Sequence, residues 1–97
     1  MPHPAPLPPS VRPLVARLAA EPGVRRVVLF GSRARGDAAD RADVDLALDA
    51  PDLAQSAWVR LRAEADEART LYDVDLVRLD RVPPPLRERI DAEGVDV

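Results

Sequence analysis

Apolar positions along this chain fall into two alternating rhythms, and the changes of rhythm predict its elements. Val11, Leu14, Val15, Leu18 and Ala19 recur at helical spacing, with Ser10 ahead of them as an N-cap. Pro13 fits such a helix only because it falls in the first turn. Glu21-Pro22-Gly23 ends it. Val24 to Phe30 is a short β-branched and apolar run that predicts a mostly buried strand. Gly31 to Arg41 predicts a tight turn with one short helical turn. From Asp43 to Asp49 the alternation is strict: Asp43, Asp45, Ala47 and Asp49 share one face, and Val44, Leu46 and Leu48 the other. That is a half-buried strand with an acidic face. Ala50 to Thr70 predicts a helix, with Leu53, Ala57, Leu61, Ala65 and Ala68 near one stripe. Asp73 to Leu79 predicts a third strand. Pro83 to Pro85 break the chain before a final helix, Leu86 to Ala92, that ends near Gly94. No segment repeats. The order α-β-α-β-α-β-α predicts an α/β (α+β) fold with one layer of helices on a small mixed three-stranded sheet. Residues 1–9, rich in proline, read as a mobile arm, and residues 10–97 as the domain.

Composition narrows this picture. Ninety-seven residues suffice for one small domain with a modest core. Ala and Val supply much of the apolar content and aromatic residues only 3% of the chain, so the core is expected to be thin and to gain from burial against a partner. No stretch approaches the roughly 20 apolar residues that span a bilayer, and no basic-then-apolar export signal opens the chain. There is no cysteine, so disulfides and thiolate metal sites are excluded. The expectation is a soluble, cytoplasmic chain without a membrane role. A net charge of −3 argues against direct binding of nucleic acid as its main task. Every basic residue is Arg and Asp outnumbers Glu. A biased genome accounts for the missing Lys, but not for where the Asp residues sit.

Asp43 and Asp45, at i and i+2 on a strand, point the same way about 6–7 Å apart. Like charges so placed repel, and a divalent cation removes that cost; Mg²⁺ prefers carboxylate oxygens and keeps sites open for substrate phosphates. An isolated Asp-x-Asp is more often an exposed strand face. Here Gly31-Ser32 directly follows a buried strand, where glycine lets backbone approach a phosphate, a helix start offers N–H groups, and the Ser32 hydroxyl adds a donor. The joint pattern arises by chance on the order of 10⁻⁵ per position at average residue usage, which decides for a site. Two metals need more than two carboxylates. Asp73 and Asp75 are the candidates for the third, with Asp75 favoured because it sits inside an apolar run where an unpaired charge is costly. Arg33 and Arg35 follow the glycine turn, where a planar fixed charge suits phosphate; Arg33 is the stronger candidate, and each also reads as a basic turn that balances nearby Asp. Asp37 and Asp40 read as loop and capping residues, Trp58 and Tyr72 as packing residues, and His3 as incidental.

Phe30-Gly31-Ser32-Arg33-Ala34-Arg35-Gly36-Asp37, Asp43-Val44-Asp45-Leu46 and Val74-Asp75-Leu76-Val77 together resemble the DNA polymerase β superfamily, and within it the minimal nucleotidyltransferase (MNT) group. The likeness runs from about Val24 to Val97. The ending Glu93-Gly94-Val95-Asp96-Val97 is more polar than the group leads one to expect. The resemblance implies a polymerase β-like nucleotidyltransferase fold. It implies that Asp43, Asp45 and Asp75 hold two Mg²⁺ ions, and that Gly31 and Ser32 grip the nucleotide, beside which Arg33 remains the candidate read from its place after the turn. It also implies that ATP is the substrate and that AMP passes to a tyrosine of a HEPN-domain ribonuclease toxin, making this chain the antitoxin in a hetero-oligomer. Two alternatives stay open: an antitoxin that masks its partner without catalysis, and transfer to a small molecule such as an aminoglycoside. No residue stands out as a reader of the base.

Overall fold

The computed structural model describes residues 7–36 and 43–97. Its elements are α1 (Arg12–Ala20), β1 (Arg26–Phe30), α2 (Ser32–Arg35), β2 (Val44–Asp49), α3 (Gln55–Asp66), β3 (Val74–Arg78), α4 (Pro84–Glu93) and β4 (Val95–Asp96). Residues 1–6, with His3, and Asp37, Asp40 and Arg41 lie outside the described residues.

The sheet has four strands rather than three, in the order β3-β2-β1-β4. β2 runs antiparallel to β1 and parallel to β3, and β4 adds antiparallel to β1. The polar ending that looked out of place is that fourth strand. Two residues carry no readable alternation, which is why the pattern missed it.

Val44, Leu46 and Leu48 are fully buried, as the alternation predicts, in a core that also holds Leu14, Val15 and Leu18 of α1 and Leu61 and Ala65 of α3. Each leucine so buried contributes about 1.5–3 kcal/mol. The expectation of a single helical layer is corrected on the opposite face. There Val28 and Ala47 are covered by Leu79 and by Ile90 of α4. β2 is therefore buried on both faces at Ala47, and the predicted acidic face narrows to its ends. At one end, Asp49 accepts from Arg26 at 3.1 Å across the strand pair. At the other lies Asp45.

Several local expectations shift. Ser10 does not cap α1: it lies in a 3₁₀ turn, Pro9–Val11, and its hydroxyl bonds Thr70 Oγ1 at 2.9 Å. Ala19 is exposed. Leu7 packs on the core and Pro8 is buried, so the packed structure starts before residue 10. α3 is shorter than the Ala50–Thr70 prediction because Ala50 accepts from Leu53 N–H at 3.1 Å, forming a turn, and Ala54 is extended. Pro84 and Pro85 open α4 instead of breaking the chain before it, since the first helical turn needs no N–H from either. Arg78, buried at the end of β3, donates to Ala50 O at 3.0 Å and ties the lead-in of α3 to the sheet.

Gly94 makes the passage from α4 to β4 possible. A Cβ there would stand 2.5 Å from both Ile90 O and Val28 Cγ1. Gly94→Ala is expected to cost about 1–3 kcal/mol through overpacking, read as a lowered denaturation midpoint; an unchanged midpoint would contradict this packing.

Candidate functional site

The site forms where β1, β2 and β3 bring one row of residues together: Phe30 pairs with Asp45, and Asp45 with Asp75. Because β2 and β3 are parallel and in register, the two carboxylates stand side by side on the same face. Asp75 is exposed, which corrects the expectation that it is enclosed in an apolar run; its neighbours Val74 and Leu76 pack on the core. Asp73 precedes the strand, and its backbone carbonyl accepts from Val44 N–H at 2.9 Å. Asp43 is exposed immediately before β2, close enough for its charge to act on Asp45.

Asp45 bears the strain of this crowding. Burial raises its pKa above the ordinary 3.8, and the charges of Asp75 and Asp43 raise it further. A hydrogen bond with the Asp75 carboxyl acts the same way, while the Arg35 guanidinium pulls in the opposite direction.

Gly31 is fitted to this carboxylate. Its φ is +75°, and a Cβ on it would overlap Asp45 Oδ2. Any other residue would meet both a left-handed backbone penalty and a collision. Gly31 precedes α2, which is only four residues long, so an extended helix dipole contributes little here. What the turn supplies is close backbone approach and the Ser32 side chain.

The two arginines lie in different surroundings. Arg33 is buried, with its guanidinium 4.7 Å from the centre of the Tyr72 ring. Arg35 lines a cavity of about 340 Å³ with Gly31, Ser32 and Asp45, and pairs with Glu93 of α4 at 3.1 Å. A helical step of two residues turns the second guanidinium to the other side, a difference that composition cannot show. Sequence reasoning also passed over Arg89 and Glu93, which line the same cavity from α4. A second cavity, about 360 Å³, flanks Asp45 and Asp75 on the side of Arg62 and Asp66. Trp58 and Tyr72 pack against the core, as expected.

The family model for polymerase β nucleotidyltransferases matches residues 14–97. The chain belongs to this nucleotidyltransferase family. Among solved structures it is similar to a toxin–antitoxin complex with AMP-PNP, at 27% identity and a TM-score of 0.65 over 90% of this chain and 68% of that one. A tri-AMPylated Shewanella oneidensis HEPN toxin in complex with its MNT antitoxin is similar at 26% identity and a TM-score of 0.59, over 89% of this chain and 64% of that one. A Sulfolobus solfataricus protein described as a putative nucleotidyltransferase, at 21% identity and a TM-score of 0.57 over 90% and 75% of the two chains, supports the fold alone. No curated protein matches the chain. Among the described residues, no helix is long and apolar enough to cross a membrane.

Among the described residues no three His, Cys, Asp or Glu side chains form a group that could hold a metal ion. The donor chemistry nevertheless fits a hard cation. Mg²⁺ is ordinarily held by one or two carboxylates, with waters and substrate phosphates completing its shell. Asp45 and Asp75 offer such a pair, and a cation between them would relieve the repulsion that adds to the effect of burial on the Asp45 pKa.

Two outcomes follow. An acid whose folded pKa is raised favours the fold only when protonated; that contribution is lost as pH rises through the folded pKa. Without divalent cations, Asp45→Asn should therefore raise the melting temperature at neutral pH. The gain should shrink as pH falls from the raised pKa toward 3.8. A variant that melts below wild type in chelator at neutral pH would contradict this. Gly31→Ala should cost about 1–2 kcal/mol for its backbone alone, with a further loss from displacing Asp45; a denaturation midpoint equal to wild type would show that no collision exists.

Proposed function

We propose that this chain transfers AMP from ATP to a tyrosine hydroxyl of a HEPN-domain toxin, and so acts as the antitoxin of that pair. The observation that carries the reading is the in-register Asp45–Asp75 pair set against the Gly31-Ser32 turn. It is supported by likeness to toxin–antitoxin complexes, one with AMP-PNP and one with an AMPylated toxin.

Asp43, Asp45 and Asp75 would hold two Mg²⁺ ions. When bound, these supply Lewis-acid stabilisation of the attacking hydroxyl and the leaving pyrophosphate. The chain's own residues do the rest. Gly31, lacking a side chain, brings the turn against Asp45, so that phosphate and carboxylates share one small volume. Ser32 Oγ donates to a phosphate oxygen, and Arg35 offsets phosphate charge from the cavity wall. Arg33, stacked on Tyr72, holds the turn in place rather than touching the nucleotide. The tyrosine oxygen attacks the α-phosphorus in line. The bond from that phosphorus to the bridging oxygen breaks, and its electrons leave with pyrophosphate. Asp75, exposed at the outer end of the pair, is placed to take the hydroxyl proton.

Likeness to toxin–antitoxin complexes favours a macromolecular acceptor over an aminoglycoside. Incubation with Mg²⁺, α-labelled ATP and the HEPN protein of the same locus should label that protein on tyrosine. Asp43→Ala should reduce labelling at least 100-fold, the scale of removing a group that acts on transition-state charge, and leave complex formation intact. Neutralisation of the toxin that survives this change without labelling would replace catalysis by masking.

A further inference from the structure

Helix α4 brings a basic group to the nucleotide cavity from far outside both sequence motifs. Leu86, Arg89 and Glu93 stand at i, i+3 and i+7 and line the cavity wall opposite Gly31, Ser32 and Asp45. Glu93 is engaged by Arg35 at 3.1 Å. Arg87, two residues before Arg89, is tied to Asp91 at 3.2 Å and to Leu79 O at 3.3 Å. Arg89 makes no hydrogen bond or ion pair among the described residues. Its guanidinium is exposed at the cavity and uncommitted.

We propose that Arg89 binds the terminal phosphates of the bound nucleoside triphosphate, a role that rests on the nucleotidyl-transfer reading above. The charge balance of the site calls for such a group. Asp45 lines one end of it, with Asp75 beside it on the next strand, and cations held by these carboxylates would neutralise the triphosphate next to them. The far end of the triphosphate still carries excess negative charge, and that excess grows on the departing pyrophosphate when its bond to the α-phosphorus breaks. Gly31 and Ser32 approach from β1, and Arg35 shares its charge with Glu93. The opposite wall is α4, where Arg89 offers a planar fork of N–H donors that matches phosphate oxygens two at a time. The face of α4 that buries Ile90 fixes the rotation of the helix and hence the direction of Arg89.

The test is titration of the full chain, with Mg²⁺ present, by AMP-PNP and separately by AMP. Arg89→Ala should weaken AMP-PNP binding roughly tenfold, the scale of a charge-assisted hydrogen bond, and leave AMP binding as in wild type. Arg89→Lys, which keeps the charge but not the fork, should fall between. The melting temperature should not move, because the side chain is exposed. Equal AMP-PNP affinity in wild type and Arg89→Ala overturns the assignment. So does an equal loss of both ligands, since a terminal-phosphate contact cannot act on AMP. If Arg89→Ala binds AMP-PNP normally but no longer forms the toxin complex, Arg89 is a partner contact and the assignment fails. A wild-type chain that binds no AMP-PNP removes the nucleotide reading itself, whereas tight wild-type binding unaffected by Arg89→Ala removes only this proposal.

Discussion

The register of β2 between its two neighbours is the constraint on which the rest depends. Side chains on a strand alternate, so a slip of one residue would send Val44, Leu46 and Leu48 outward and turn Asp45 into the core. The pairing that buries three side chains completely therefore also aims Asp45 at Asp75 and sets Phe30 beside it. Core and site are two faces of the same choice. The hydrophobic term is large and the carboxylate repulsion is smaller, so the fold can hold two like charges in adjacent positions without relaxing. Burial raises the Asp45 pKa most, and the neighbouring carboxylate charges raise it further.

Gly31 extends the same constraint one step along the chain. Where β1 ends, the backbone must turn away while staying in contact with the carboxylate in the next strand. A left-handed glycine with no room for a Cβ against Asp45 meets both demands. The Gly-Ser motif and Asp45 of the Asp-x-Asp motif thus share one contact surface.

Much of this was legible in the sequence because it rests on short-range periodicity. The alternation of Asp43 to Asp49, the helical stripe Leu14, Val15 and Leu18, and the glycine turn all depend on neighbours within one element. What escaped depends on tertiary geometry. β4 is too short to carry a pattern, and its pairing exists only because α4 delivers it to β1. The second helical layer was hidden because Ala47 reads as neutral, although Ile90 and Leu79 enclose it. Asp75 was favoured over Asp73 as the third carboxylate on a burial argument, whereas what sets it beside Asp45 is strand register. The ranking of Arg33 over Arg35 failed to anticipate their positions because α2 turns successive residues to different sides, and only the place of Tyr72 shows which side is packed.

α4 shows how burial and charge are brought to one cavity by a single element. Its apolar positions, Leu86 and Ile90, close the second face of the sheet, which α1 and α3 cannot reach. Once those positions face inward, helical geometry leaves Arg89 and Glu93 at the rim of the cavity beside Gly31. The helix therefore cannot be removed or rotated without losing both burial and charge at this cavity. The Arg35–Glu93 pair then couples the glycine turn to the same helix. It is partly exposed, so its stabilising value is small. Its consequence is positional: the guanidinium stays over the cavity, opposite Asp45, where its charge opposes the rise in the carboxylate's pKa. The second face of the sheet and the cavity beside Gly31 are in this way held by one helix, and the carboxylate charge on the sheet is answered by charges carried on the element that covers it.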